Sequence, residues 1–254
     1  MQTQNLFQNI TWKNTYPELL SQVQVPPRNK SMSFENFKIN SQNQHAYELA
    51  KEFSLNPNGI IYLYGTPGVG KTHLAVSIIK ALRPIRLSDK EINDKEQRIL
   101  DAIEHLITIK DPDNKIPNYR SYFTRGSWQY RPARPLFLKS FHYIFKCSEA
   151  FTSNYSRSTY LNYLSGFDCL LLDDLGAEKF SESTRQYYYA LIDEFYTSRI
   201  PLIITSTESL IQLNQKEPRI ASRLAESIVI NINDFDHRFM SAPDKIIMQG
   251  YANA

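Results

Sequence analysis

The stretch Gly59-Ile-Ile-Tyr-Leu-Tyr-Gly65-Thr66-Pro67-Gly68-Val69-Gly70-Lys71-Thr72-His73-Leu-Ala75 decides the fold. Its apolar run from Ile60 to Tyr64 reads as a buried strand, and residues from Lys71 to Leu82 read as a helix. Between them Gly65, Gly70, Lys71 and Thr72 occupy the four fixed positions of a phosphate-binding loop, in the strand-to-helix context the motif requires. Those positions coincide by chance in roughly 1% of chains of this length, so a purely structural glycine turn is the weaker reading. Gly65, Thr66, Pro67, Gly68, Val69 and Gly70 can curl so that backbone N–H groups face phosphates at a helix N-terminus. Lys71 would reach the β- and γ-phosphates of ATP, Thr72 would ligate Mg²⁺, and His73 follows directly as a further nucleotide-site candidate.

Working outward, the chain has 254 residues and only eight glycines, where average usage would give about eighteen. Gly59, Gly65, Gly68 and Gly70 mark the loop just described, and Gly166 and Gly176 bracket a second apolar run. A hydrophobic share of 42% and a charged share of 22% are those of a globular chain and exclude wholesale disorder. No apolar run approaches the roughly 18 to 20 residues of a membrane span, and the first fifteen residues carry no basic cluster or apolar leader. The expectation is a cytoplasmic protein with no membrane partner. Cys147 and Cys169 have no metal or disulfide spacing and read as buried thiols. A net charge of +3 says little about a polyanionic partner, because a local patch matters more than the sum.

Residues 1–30 read as an arm, in which Thr15 could cap a short helix with Tyr16, Leu19, Leu20 and Val23 on one face. Residues 31–254 read as the main domain. Ser41 and Gln44 have capping-box spacing ahead of the helical pattern Ala46, Leu49, Ala50 and Phe53. Beyond Gly59, short apolar strands at Ile60–Tyr64, Leu136–Lys139, Asp168–Leu172, Leu202–Thr205 and Ile228–Ile232 alternate with helices at Lys71–Leu82, Phe141–Ala150 and Ser183–Ser198. This is the pattern of a five-stranded parallel sheet with helices on both faces, an α/β fold of the P-loop NTPase class.

About fifty residues separate the helix ending near Leu82 from the strand at Leu136, far more than the roughly 2 to 6 of an ordinary connection, so residues 84–135 read as an insertion. Ser88 and Glu91 form a capping box there, followed by an apolar stripe of Ile92, Ile99, Ile103, Leu106 and Ile107. Its second half carries Arg120, Arg125, Arg131 and Arg134 among aromatic rings with no acid. That suits a nucleic-acid strand, and equally an ordered excursion whose rings bury against its own helix. Lys139 and Lys146, in and beside the Phe141 helix, are further nucleic-acid candidates.

The second chemical motif is Cys169-Leu-Leu-Leu172-Asp173-Asp174, an apolar strand that ends in two carboxylates. Beside a P-loop, one acid can hold Mg²⁺ through its water shell and the other can deprotonate an attacking water. The strand after it ends in Thr205-Ser206-Thr207, which can sense a γ-phosphate or merely cap the next helix. In Arg219-Ile-Ala-Ser-Arg223-Leu-Ala-Glu226 the two arginines share a helix face, as a basic solvated face would also have them.

GTPGVGKTHLA, LLLDDLGAEK, PLIITSTESL and RIASRLAE, in this order, resemble the AAA+ ATPases of the bacterial replicative helicase loader group, of DnaC/DnaI type, with the transposition helper IstB as a relative. VPPRNKSMSFENFKINSQNQHAYELAKEF resembles the segment that precedes the P-loop in that group. The likeness covers roughly residues 25–83 and 136–230. It implies an AAA+ (ASCE) fold with no C-terminal helical lid, Asp173 as the Mg²⁺-site acid and Asp174 as the water-activating one. It implies Thr207 at the sensor position, where an Asn is common, and Arg223 as the finger reaching a neighbouring subunit's ATP, with Arg219 as its companion. The partners it implies are a replicative DNA helicase or a transposase, single-stranded DNA, and further copies of this chain in a ring or spiral. A P-loop kinase and an ATP-dependent assembly factor that does not hydrolyse are the alternatives from other classes. The arm lacks Cys and so a zinc-binding partner module, and the insertion has no counterpart in the resemblance.

Overall fold

The computed structural model describes residues 25–94, 97–98, 101, 130–149, 157–178, 180–234 and 237. The chain forms two compact units, one of residues 1–82 with 134–254 and the other of residues 83–133.

The larger unit is built on β1 (Ile60–Tyr64), β4 (Pro135–Lys139), β5 (Cys169–Leu175), β6 (Leu202–Ser206) and β7 (Ile228–Asn231). All their pairings are parallel, in the order β4-β5-β6-β1-β7. Alternation along each strand divides the core into two layers, as a sheet covered on both faces demands. Ile61, Leu63, Cys169, Leu171 and Ile203 face a layer completed by α1 (Gln44–Leu55) and α2 (Lys71–Ala81). Ile60, Tyr62, Leu170, Leu172, Leu202 and Ile204 face the other. That second layer is covered by α3 (Ser140–Glu149), α5 (Glu182–Ser198) and α7 (Pro218–Leu224), whose Tyr143, Tyr188, Leu191, Ile192, Phe195, Ile220 and Leu224 enter it. The remaining helices are α4 (Arg157–Ser165) and α6 (Leu210–Lys216). Among the described residues no helix is long and apolar enough to cross a membrane.

The five strands and the α/β class are those expected, with β6 between the P-loop strand β1 and the carboxylate strand β5. Three local readings need correction. The Ser41–Gln44 capping box does not form. The Asn40 carboxamide instead accepts from the N–H groups of Gln42 and Asn43, while Asn43 Oδ1 accepts from Asn40 N–H, so a reciprocal Asn pair closes the turn and the helix starts at Gln44. Strand β5 extends to Leu175 rather than Leu172, with an irregularity in its pairing between Leu172 and Leu175. The segment between β4 and β5 holds two helices, α3 and α4, where one was expected.

In the smaller unit β2 (Ile85–Arg86) and β3 (Tyr130–Arg131) pair antiparallel. Ser88 and Glu91 do form their capping box: Ser88 N–H donates to Glu91 Oε2 at 2.9 Å and Glu91 N–H to Ser88 Oγ at 3.3 Å. Residues 89–94 are helical. The expected continuation through Ile99, Ile103, Leu106 and Ile107, the arginines Arg120 and Arg125, and the helix at Tyr16–Val23 lie outside the described residues.

Candidate nucleotide site

The loop from Gly65 to Gly70 takes conformations that glycine alone adopts readily, with φ of 151° at Gly65, 82° at Gly68 and 99° at Gly70. Gly70 is the left-handed residue at the start of α2, so the helix begins with Lys71 and its free N–H groups face the loop. Lys71 is 6% exposed, and its ammonium donates to the carbonyls of Gly65 at 2.8 Å and Thr66 at 2.7 Å. The lysine thus spans its own loop, and a phosphate can exchange for these carbonyls.

Opposite the loop, β5 delivers Asp173 with no exposed surface. Asp173 Oδ1 accepts from Thr72 Oγ1 and from Thr205 Oγ1, each at 2.8 Å. The three residues come from α2, β6 and β5, so the carboxylate that ends one strand is tied to both its neighbours in space. Thr205 also accepts from the Asp174 N–H at 2.9 Å, and Ser140 Oγ donates to the Asp174 carbonyl at 2.7 Å. Asp174 is held at φ 66°, a region costly for a side-chain-bearing residue and retained where surrounding bonds over-determine it. The strain turns its side chain out of the strand to the cleft.

The donor set at Thr72 and Asp173, a hydroxyl and a buried carboxylate, suits a hard cation such as Mg²⁺ that takes its remaining ligands from water and phosphate. Among the described residues no group of three His, Cys, Asp or Glu side chains could hold a metal ion.

Lys139 is the largest departure from expectation. It was read as facing a nucleic-acid strand, yet its ammonium lies 2.7 Å from Asp173 Oδ2 and 2.7 Å from Asp174 Oδ2. Burial works against its charge, but hydrogen bonds and charge from the two carboxylates outweigh this and raise its pKa. Removing the ammonium leaves two adjacent carboxylates without their cation, at a cost of about 1 to 3 kcal/mol for the buried partner. Lys139→Met is therefore expected to lower the melting temperature of nucleotide-free protein, and Mg²⁺-ATP to restore more of the loss than it adds to wild type. Equal shifts by both proteins in a thermal scan would refute this.

The cleft between these elements has a volume of about 740 Å³ and is lined by Gly68, Gly70, Lys71, Thr72, His73, Asp174 and Thr207, and also by Met32, Asn36, Phe37, Lys38, Pro67 and His237. Thr207 is exposed at the end of β6, and the helix-capping role falls to Ser209, whose hydroxyl accepts from Gln212 N–H. His73 Nε2 lies 3.0 Å from the Ser33 carbonyl and 2.9 Å from Asn36 Oδ1, and burial lowers its pKa. His237 N–H donates to the Gly68 carbonyl at 3.2 Å, and its ring lies 3.0 Å from Asp234, which also accepts from Asn40 and Asn43. Met32, Phe37, Lys38 and His237 were missed from sequence. No local pattern marks them; the structure alone shows the closeness, since a Cβ added at Gly70 would lie 2.9 Å from the Phe37 ring.

Within the larger unit, Arg134, Lys146, Arg219 and Arg223 do not line the cleft. Arg223 Nε–H donates to Asp193 Oδ1 at 2.8 Å and its guanidinium stands 5.1 Å from the Tyr196 ring centre. Arg219 stands 5.3 Å from the Tyr189 ring centre. Arg134 donates to the Gly166 carbonyl at 2.8 Å and faces Asp168. Lys146 pairs with Glu149 on the same helix at 2.7 Å. Arg131, on β3, donates to the Pro132 carbonyl at 3.3 Å.

Comparison with known proteins bears on the fold. Residues 28–116 match the family model of the bacterial DnaA ATPase domain. The chromosomal replication initiator DnaA of Acholeplasma laidlawii is 24% identical over 215 residues, covering 83% of this chain and 39% of the relative. The chain thus spans about two fifths of the length of that curated relative. A crystal structure of the DnaC helicase loader superposes with a TM-score of 0.57 at 20% identity, over 82% of this chain and 100% of the loader chain. The replication initiator DnaA bound to AMPPCP and single-stranded DNA superposes with a TM-score of 0.55 at 21% identity, over 90% of this chain and 56% of that one. The fold is that of the P-loop AAA+ ATPases of this group.

Proposed function

We propose that this chain is an ATP-hydrolysing AAA+ protein of DNA replication that assembles on single-stranded DNA and delivers or remodels a replicative helicase. The observation that carries the reading is Asp173, buried at the end of β5 and fixed at 2.8 Å from Thr72 of the P-loop. A buried carboxylate locked to the Mg²⁺-ligand position of a phosphate loop suits the chemistry of a Mg²⁺-bound nucleoside triphosphate.

In this reading the loop amides and Lys71 bind the phosphates, Lys71 exchanging its two carbonyl partners for the β- and γ-oxygens. Mg²⁺ held by Thr72 and Asp173 would supply charge neutralisation to the triphosphate. Asp174, turned into the cleft, accepts the proton of the attacking water once Lys139 yields, and Thr207 orients that water. Arg223 lies on α7 away from this cleft, so its guanidinium serves the nucleotide of a neighbouring subunit. Contacts of that kind are head to tail and build rings or open spirals. Support for the replication role comes from the likeness to DnaC and to an initiator DnaA whose structure holds AMPPCP and single-stranded DNA.

The test combines ATP turnover across a range of protein concentrations with delivery of the host's hexameric helicase to circular single-stranded DNA. Expected are a turnover per subunit that rises with concentration and with single strands, and ATP-dependent helicase on the circle. Preference for duplex DNA with no helicase delivery would point to the transposition helper, ATP binding without turnover to an assembly factor, and phosphate transfer to a small molecule to a kinase. Each of these overturns the proposal.

A further inference from the structure

We infer that the outer face of α5 is a rack that pre-orders the arginines of α7 for a neighbouring subunit's nucleotide, with Asp193 and Tyr196 as positioning residues for Arg223 and Tyr189 for Arg219. The inference rests on the reading of Arg223 as a group acting on another copy's ATP.

Tyr189, Asp193 and Tyr196 are spaced four and three apart, so they form one stripe along the helix. Their neighbours Tyr188, Leu191, Ile192 and Phe195 are buried in the core, which fixes the rotation of α5 and turns the stripe outward. Arg223 is gripped in two ways: Asp193 takes its Nε–H at 2.8 Å, and the Tyr196 ring lies 5.1 Å from the guanidinium carbon. Tyr196 is itself held, because its hydroxyl donates to Glu226 just beyond α7. Arg219 stacks on Tyr189 at 5.3 Å.

An ordinary exposed arginine samples many rotamers and loses that freedom when it binds. Here the loss is already met within the subunit. Arg223 keeps 37% of its side chain exposed, and Asp193 engages Nε, so N–H groups on the terminal nitrogens stay available for a phosphate. A solvated basic face needs neither the carboxylate nor the two rings. A group that must arrive in a preset geometry at another molecule's reacting centre does, since misplacement by about 1 Å can cost a hundredfold in rate.

The test is a mixed-subunit assay. Lys71→Ala chains, whose own site is disabled, are mixed with Arg223→Ala chains, whose site is intact but which lack the arginine; turnover in the mixture requires an arginine donated in trans. Adding Asp193→Ala to the Lys71→Ala donor is expected to lower the restored kcat about tenfold to a hundredfold, with KM for ATP unchanged. Asp193→Asn, which keeps an acceptor oxygen in place, is expected to recover most of the loss, and Tyr196→Leu to show a smaller drop of the same kind. Thermal melts of all variants should match their parents, because Asp193 and Arg223 are both over a third exposed. If the simple mixture restores nothing, the trans reading fails. If it restores turnover and the Asp193→Ala donor works equally well, the rack fails while the trans reading stands.

Discussion

ATP turnover by an Arg223→Ala protein is expected to fall about 10³- to 10⁵-fold at concentrations where the wild type assembles, the range measured for supplied arginines in related phosphoryl transfer. Binding of ATP should be unchanged, because Arg223 lines no part of the cleft around Lys71 and Thr72. The size of the effect follows from where charge develops. The transferred phosphoryl group spreads negative charge over oxygens that water would otherwise solvate, and a guanidinium placed there in advance needs no rearrangement. The loss should vanish on dilution below the assembly concentration, where the wild type is equally slow. A single-subunit catalyst would instead lose activity at every concentration, or at none. Turnover measured against protein concentration for both chains separates these outcomes.

Gly65→Ala is expected to cost about 3 to 5 kcal/mol of folding stability, the sum of a backbone held at φ 151° and an overpacked contact, and to abolish ATP binding. A Cβ at this position would lie 2.3 Å from the carbonyl oxygen of Ile232. That oxygen cannot retreat freely, because Ile232 N–H is bonded to the Tyr64 carbonyl at 2.8 Å, and the Ile232 side chain sits in the core. Either the segment after β7 moves off the sheet or the first residue of the phosphate loop does. Chemical denaturation and a fluorescent-nucleotide titration report on the two. Retention of both stability and binding would mean the loop is looser than its glycines indicate.

What was legible from sequence depended on distance along the chain. The P-loop, the strand ending in Asp173 and Asp174, and the Ser88–Glu91 cap are local patterns, in which a few neighbouring residues carry the whole signal. The Ser41–Gln44 cap failed by a single position, because Asn40 and Asn43 pair one residue earlier and the Gln44 N–H bonds the Asn40 carbonyl. Lys139 was misread for a different reason. On an edge strand a lysine ordinarily turns to water, and only the pairing of Lys139 with Asp173 across β4 and β5 shows why this one turns inward. Met32, Phe37, Lys38 and His237 reach the cleft from the two ends of the described chain, with no spacing rule to link them to Gly70. The rack on α5 was equally hidden, since Tyr189, Asp193 and Tyr196 read as an ordinary half-exposed helix face until α7 is laid against them.

The paired ends of the smaller unit bear on how such a protein changes over generations. Ile85 faces Arg131 and Arg86 faces Tyr130 in an antiparallel pair, so the chain leaves the larger unit and returns to it through strands about 5 Å apart. A hairpin base of this kind insulates the scaffold from whatever it carries. Each doubling of the enclosed length adds only about 0.6 kcal/mol of closure entropy, and the frame of β4 does not depend on it. Residues 83–133 therefore form a cassette, free to lengthen, shorten or be exchanged between lineages while the phosphate loop and the strand ending in Asp173 stay fixed, so chains with this fold should differ most between Leu82 and Arg134.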